Sequence, residues 1–269
     1  MTKIAFLGAG GRMGRRICAK LMKEEFDLRC IEIVDEGIAA LKEIGLEVTS
    51  AQQAVADADA VVFAVPDADV VRITHEIVPQ VPAGALVMML DPCVAHSGKL
   101  PRRDDIGYLV SHPCHRSFLE QGEGRRGQHI VIALVQGEER HCELGVEIAK
   151  AMYQPVLDVH RLTLDQMVLL EPALSEAVAG ACILTIKEGL DEVIKQGVPE
   201  KAARDFLLGH VTASLGVVFA GRGFFSDAAW KIKRMGKEML FRDDWKETLT
   251  PEGVRRQVAV ALGCKEGDG

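Results

Sequence analysis

Two short stretches of the chain gather side chains able to move protons or hold a cation. The first is Ser111-His112-Pro113-Cys114-His115-Arg116, two histidines three apart beside an arginine. An imidazole changes charge near neutral pH, so His112 and His115 are candidates for general acid, general base or metal ligand. The second is Leu169-Leu170-Glu171-Pro172-Ala173-Leu174-Ser175-Glu176. On a helix Glu171 and Ser175, four apart, share a face, while Glu176 lies about 140° around the axis from Glu171. A carboxylate among such apolar neighbours is expensive without a partner, and a cation, a histidine or a substrate hydroxyl would supply one. His112 and Glu171, joined by His115 or Glu176, could together hold a divalent ion. Nitrogen plus carboxylate ligands suit zinc or manganese better than calcium. Plainer readings stand beside these: imidazoles bonded to backbone, and carboxylates drawn to a helix N-terminus by its dipole. His75, His96, His129, His141, His160 and His210 show no such pattern and read as surface or core residues.

The first of these stretches directly follows an apolar run, Tyr108 to Ser111, which reads as a strand, so both histidines belong at a strand end. The same edge is set by the start of the chain. Ile4 to Leu7 is apolar throughout, as in a strand buried on both faces of a parallel sheet. It leads into Gly8-Ala9-Gly10-Gly11-Arg12-Met13-Gly14 and then a helical pattern with Ile17, Leu21 and Met22 on one side. Glycines between a strand and a helix let bare N–H groups approach a pyrophosphate, and the positive helix end favours the anion. This places a dinucleotide on Gly8, Gly10, Gly11, Arg12 and Met13. Leu28 to Val34 reads as the second strand. Glu32, about 20 residues beyond the loop, can accept hydrogen bonds from the ribose hydroxyls and would repel a 2′-phosphate. That favours NAD over NADP; Asp35 is the alternative acid, and Glu32 facing solvent the plainer reading. A fully buried strand, Ala60 to Val65, ends at Val65-Pro66, where the cofactor should lie, because ligands of open α/β sheets bind beyond the carboxyl ends of strands.

The remaining pattern alternates in the same way. A helix over Ile38 to Ile44, a short strand over Leu46 to Thr49 and a helix over Gln52 to Asp57 are expected. Strands follow over Leu86 to Leu90, Ile130 to Val135 and Pro155 to Val159, with a helix over Cys142 to Met152. This predicts an α/β, Rossmann-type doubly wound parallel sheet with helices on both faces, over residues 1–162. From Thr163 onwards the pattern is helical: an apolar helix over Met167 to Ile186 that Pro172 starts or kinks, then Glu200 to Phe219, Ala228 to Met239 capped by Ser226, and Pro251 to Leu262. Residues 163–269 are thus expected to form a smaller all-α substrate and dimerisation domain, with Lys265 to Gly269 frayed. A helix so apolar needs neighbours, which suggests a homodimer through the long C-terminal helices.

Composition excludes several classes. Hydrophobic residues make up 48% and charged ones 26%, as in a globular rather than a disordered chain. The net charge of −7 argues against a nucleic-acid partner, and Arg102-Arg103, Arg125-Arg126 and Arg255-Arg256 are short clusters mixed with acids. No run of apolar residues reaches the ~18 needed to span a bilayer, and the N-terminus enters the first strand with no room for a signal peptide. The seven cysteines are scattered without C-x-x-C spacing, as suits reduced thiols in a cytoplasm.

GAGGRMG, the AVPD turn, LDP, SHPCH, LLEPALSE and RDFLLGH together resemble the D-apionate oxidoisomerases, over nearly the whole chain. These belong to the wider 6-phosphogluconate and 3-hydroxyisobutyrate dehydrogenase grouping, with distant likeness to ketol-acid reductoisomerase. The resemblance implies an NAD-dependent enzyme of branched-sugar-acid breakdown. Its reaction oxidises a hydroxyl next to a tertiary carbinol and shifts the carbon skeleton, giving 3-oxo-isoapionate and NADH. Two departures stand out: the segment after His115 (RSFLEQGEGRRGQ) is short, and the grouping's usual helical lysine has no counterpart near Glu171. The runner-up reading is a sugar-acid or hydroxy-acid dehydrogenase without the isomerisation. GAGGRMG also looks like the loop of dihydrodipicolinate reductase, but an H-H-x-x-K stretch and a D-A-P-S-G-T loop are missing. A non-catalytic NAD sensor would need a partner-binding module that the C-terminal helices do not offer.

Overall fold

Strands apolar on both faces need cover on both, and the chain supplies it. A computed structural model describes residues 1–116 and 127–264. Its strands are β1 (Thr2–Leu7), β2 (Phe26–Ile31), β3 (Ala60–Phe63), β4 (Leu86–Met89), β5 (Gly107–Pro113), β6 (Gln128–Gln136) and β7 (Val156–Arg161). They form one sheet in the order β2-β1-β3-β4-β5-β6-β7. Successive side chains alternate between two cores. Ile4, Phe6, Val62, Met88 and Ile132 pack against Ile17 and Leu21 of α1 (Arg12–Leu21) and Ile148 and Met152 of α6 (Glu139–Tyr153). Ala5, Leu7, Val61, Met89 and Val131 face the other way. There they meet Val70 and Ile77 of α4 (Asp67–Ile77), Met167 and Val168 of α7 (Leu164–Val168), and Val254 and Val258 of α11 (Pro251–Ala261). Each fully buried Ile, Leu or Phe contributes roughly 1.5–3 kcal/mol. Helices α2 (Asp35–Glu43), α3 (Ala51–Val55) and the short α5 (Cys93–His96) complete this region.

Three expectations are corrected here. The sheet is mostly but not wholly parallel: β6 runs antiparallel to β5, with His112 opposite Val131. A parallel neighbour would need a crossover back to the opposite edge, whereas β6 begins on the edge where β5 ends. The strand expected over Leu46 to Thr49 is reduced to a single bridge between Val48 and Cys30, since Gly45 ends the preceding turn with positive φ and leaves little length for pairing. The second strand stops at Ile31, so Glu32 stands just past its end. The RSFLEQGEGRRGQ segment lies mostly outside the described residues, as do Arg125-Arg126 and the tail Lys265 to Gly269.

The helical course from Leu164 to Lys195 breaks once. Glu171 takes a non-helical conformation (φ −133°, ψ 114°) within the π-helical stretch Leu169–Gly180. The cause is Pro172, whose ring pushes the preceding residue out of the helical region. By length and composition alone these 32 residues could cross a membrane; the break, the two glutamates and the packing of Met167, Val168 and Ala173 in the sheet's core show a different use. Beyond them run α8 (Ala181–Lys195), α9 (Glu200–Ala220) and α10 (Asp227–Leu240). Within the chain these helices are scarcely covered: α8 buries Leu190, α9 buries Gly216, and α10 buries no residue. The burial expected for the apolar helix is therefore not met inside one chain.

Candidate active site

The glycine loop is shaped by contacts that leave no room for side chains. Gly8 has φ +73°, and a Cβ there would lie 2.3 Å from the Ala64 carbonyl oxygen at the end of β3. At Gly10 a Cβ would fall 2.5 Å from the Gly37 Cα, and at Gly14 2.1 Å from the Gly8 oxygen. Those approaches draw α1 tight against the end of β1. Gly11 is freer, its nearest neighbour being the Gly8 oxygen at 3.4 Å. Gly11 caps α1 without a side-chain bond and no acid occupies the first turn, so the exposed turn of Arg12 and Met13 presents its N–H groups to solvent and to any anion.

Glu32 closes this loop from the second strand. One carboxylate oxygen accepts the Gly10 N–H at 2.9 Å, and the other accepts those of Ile33 (2.8 Å) and Val34 (2.9 Å). Its negative charge is thereby fixed beside the helix start. Val65 is half-buried and Pro66 exposed at the turn into α4, across the carboxyl edge of the sheet from the loop.

Further along the same edge stands His112, near the end of β5. Its Nδ1 lies 2.8 Å from the Leu90 carbonyl oxygen. A carbonyl only accepts, so Nδ1 carries the proton and, in the neutral ring, Nε2 keeps a bare lone pair. His115, in the left-handed region at φ 54°, stands edge-on to it with ring centroids 6.2 Å apart. Glu171 reaches this edge from the helical side. Burial pushes its carboxyl above the usual range, and the charges of Glu176 and Asp91 push the same way. A hydrogen bond with Ser175 and the proximity of His112 pull it back. His112 and Glu171 are thus brought within electrostatic reach of one another; the helix face that Glu171 and Ser175 were expected to share is lost at the break, although the two side chains still hydrogen-bond. Glu176 is exposed and stands to the side of this group.

Two acids escaped the sequence reading. Asp91 accepts the Cys93 N–H at 2.7 Å; with Asp67 and Glu171 it adds to the burial that raises the Cys93 thiol. Asp67 is itself pushed up by partial desolvation and then by Asp91. Both follow a strand end beside a proline, Pro66-Asp67 and Asp91-Pro92, and that position was the available signal. Asp67, Asp91 and Glu171 thus gather on this edge around Cys93, with His112 acting on Glu171, and such a group attracts cations and hydroxyl donors. Among the described residues, however, His112 and Glu171 do not belong to a group of three close metal-ligating side chains; the set that does is His129, Asp158 and His160.

A glycine loop, an acid after the second strand and a proton-handling cluster on one sheet edge define a nucleotide-dependent oxidoreductase. Two family models match, that of the phosphogluconate dehydrogenase (decarboxylating) C-terminal region over residues 122–262 and that of the coenzyme F420-dependent NADP oxidoreductases over residues 3–89. A D-apionate oxidoisomerase of Cupriavidus necator is 40% identical over 95% of this chain and 98% of its own. One from Blautia hydrogenotrophica is 36% identical, over 96% of each chain. The chain belongs to the D-apionate oxidoisomerase family. A crystal structure of a protein from Cupriavidus necator, described as a semialdehyde dehydrogenase NAD-binding protein in complex with calcium and NAD, superposes with a TM-score of 0.93. It is 39% identical and covers 97% of this chain and 99% of its own.

The upward shift of Glu171 has a consequence for stability. A carboxyl whose folded value is raised contributes stability that is complete below its unfolded value of about 4.3 and is lost as pH rises through the folded value. Glu171→Gln should therefore melt higher than wild type at about pH 8, with the difference shrinking towards zero by about pH 4. Calorimetry across that range checks it; an offset independent of pH would show that burial of the charge is not the cause.

Proposed function

We propose that this chain is an NAD-dependent oxidoreductase acting on a branched sugar acid, D-apionate, with oxidation coupled to a skeletal shift that yields 3-oxo-isoapionate. Family membership supports the substrate class, and the observation that carries the mechanism is the bare Nε2 of His112 on the edge that holds the glycine loop. When bound, NAD supplies the hydride acceptor. The N–H groups at the start of α1 hold its pyrophosphate, and Glu32 takes the adenosine ribose and turns away a 2′-phosphate. His112 accepts the substrate's hydroxyl proton at Nε2, a task suited to an imidazole near neutral pH. Glu171 holds a second substrate oxygen, with Ser175 orienting its carboxylate. His115 and Glu176 flank this pair and exchange protons with solvent.

Were a divalent ion to occupy this edge, His112 Nε2 and Glu171 would be its ligands, with Asp67 and Asp91 adding negative charge, and the hydroxyl proton would then pass to His115, because the one lone pair of Nε2 cannot serve both roles. Such an ion would supply electrostatic stabilisation of the alkoxide as it becomes a ketone. The skeletal shift needs neighbouring oxygens held together, which His112 and Glu171 are placed to do. A plain sugar-acid dehydrogenase would use the same residues without that clamp.

In this reading residues 1–162 carry the nucleotide and residues 163–269 complete the substrate site and join two chains. Ile183, Leu184, Phe206, Phe219 and Met239 are 65%, 66%, 68%, 73% and 75% exposed along α8 to α10, an apolar surface that a second copy would cover. Free thiols throughout support work in a cytoplasm.

His112→Ala should lower turnover ~100-fold or more, measured as NADH formation from D-apionate with the product followed by NMR; near-normal turnover dismisses the base. Glu32→Arg should move the ratio of NAD to NADP affinity by at least about tenfold towards NADP, and an unchanged ratio removes Glu32 from ribose selection. Light scattering at micromolar concentration should return twice the chain mass, whereas a lone chain would contradict the shared helices.

A further inference from the structure

A second group of ligating side chains lies on β6 and β7, at one edge of the sheet and next to the strand that carries His112. Parallel pairing sets His129 of β6 opposite Asp158 of β7, and Val131 opposite His160. Residues two apart on a strand share a face, so the register puts His129, Asp158 and His160 on one face from residues that are far apart in sequence. Their ligating atoms lie within 4.8 Å of one another. The two imidazoles stack at 5.4 Å with planes inclined by 21°. His129 Nδ1 is buried without a hydrogen-bond partner, so the fold does not anchor the ring at that nitrogen. Asp158 spends one oxygen on the Val159 N–H at 2.8 Å and keeps the other.

We propose that His129, Asp158 and His160 form a transition-metal site, distinct from the His112–Glu171 pair, that takes zinc. Two imidazoles and a carboxylate form a three-ligand set of the kind zinc accepts, a fourth position being left to water. Calcium and magnesium prefer sites made of oxygens. An ion there ties the edge strand β7 to β6. Because His112 lies opposite Val131, on the same face as His129, the ion also braces the strand on which the substrate site is built. The inference stands on this geometry and not on the reaction assigned above.

The test is titration calorimetry with zinc chloride on the full chain after removal of metal by a chelator. A zinc-binding event should persist in His112→Ala and in Glu171→Gln, and that same event should be at least about tenfold weaker in Asp158→Asn and His160→Ala. Asp158 and His160 are exposed on an edge strand, so both variants should fold, as circular dichroism will verify. Zinc-edge anomalous diffraction from wild-type crystals should show a peak bounded by the three side chains. Binding indifferent to Asp158→Asn and His160→Ala, no binding tighter than about 0.1 mM, or an anomalous peak confined to His112 and Glu171 would each overturn the site.

Discussion

The hydrogen bond from His112 Nδ1 to the Leu90 carbonyl is the interaction on which the site depends. It joins the ends of two neighbouring strands and commits the only proton of a neutral imidazole. The ring can then neither rotate nor change tautomer without leaving a carbonyl unmet. A base held in this way does not need to be reorganised when a substrate hydroxyl arrives. In the proposed mechanism the rest of the edge places reactants against that nitrogen.

The glycine loop works by a related economy of space. Gly8, Gly10 and Gly14 are forced by backbone approaches under 3 Å, and Glu32 then locks the loop by accepting the Gly10 N–H. One carboxylate therefore braces the loop and sets a negative charge at its rim. Glu171 comes to the same edge through a different constraint. Pro172 breaks the helix at the residue before it, releasing Glu171 from the helical surface to a half-buried position within electrostatic reach of His112. The cost appears as a carboxyl that resists ionisation.

Much of this was legible in the residues because it was local. The strand–glycine–helix junction, the acid after the second strand, the histidine pair at a strand end and the Glu171–Ser175 spacing all depend on neighbours a few positions away. What was missed depends on tertiary placement. The antiparallel course of β6 is set by which edge the chain returns from, and no periodicity reports that. Asp67 and Asp91 gain meaning only once β3 and β4 lie side by side. His129 and His160 looked ordinary because their meeting is a matter of strand register across β6 and β7. The exposed apolar faces of α8 to α10 are likewise a tertiary matter, since their periodicity does not say what lies against them.

The central claim concerns one atom, and nitrogen NMR reads it directly. In uniformly 15N-labelled protein, with His112 assigned by difference against a variant lacking it, long-range proton–nitrogen correlations distinguish the two tautomers. The account predicts a neutral ring protonated at Nδ1 and bare at Nε2, with the Nε2 resonance moving when D-apionate is added to the NAD-saturated protein. A ring protonated at Nε2, or an Nε2 signal indifferent to the sugar acid, would contradict it.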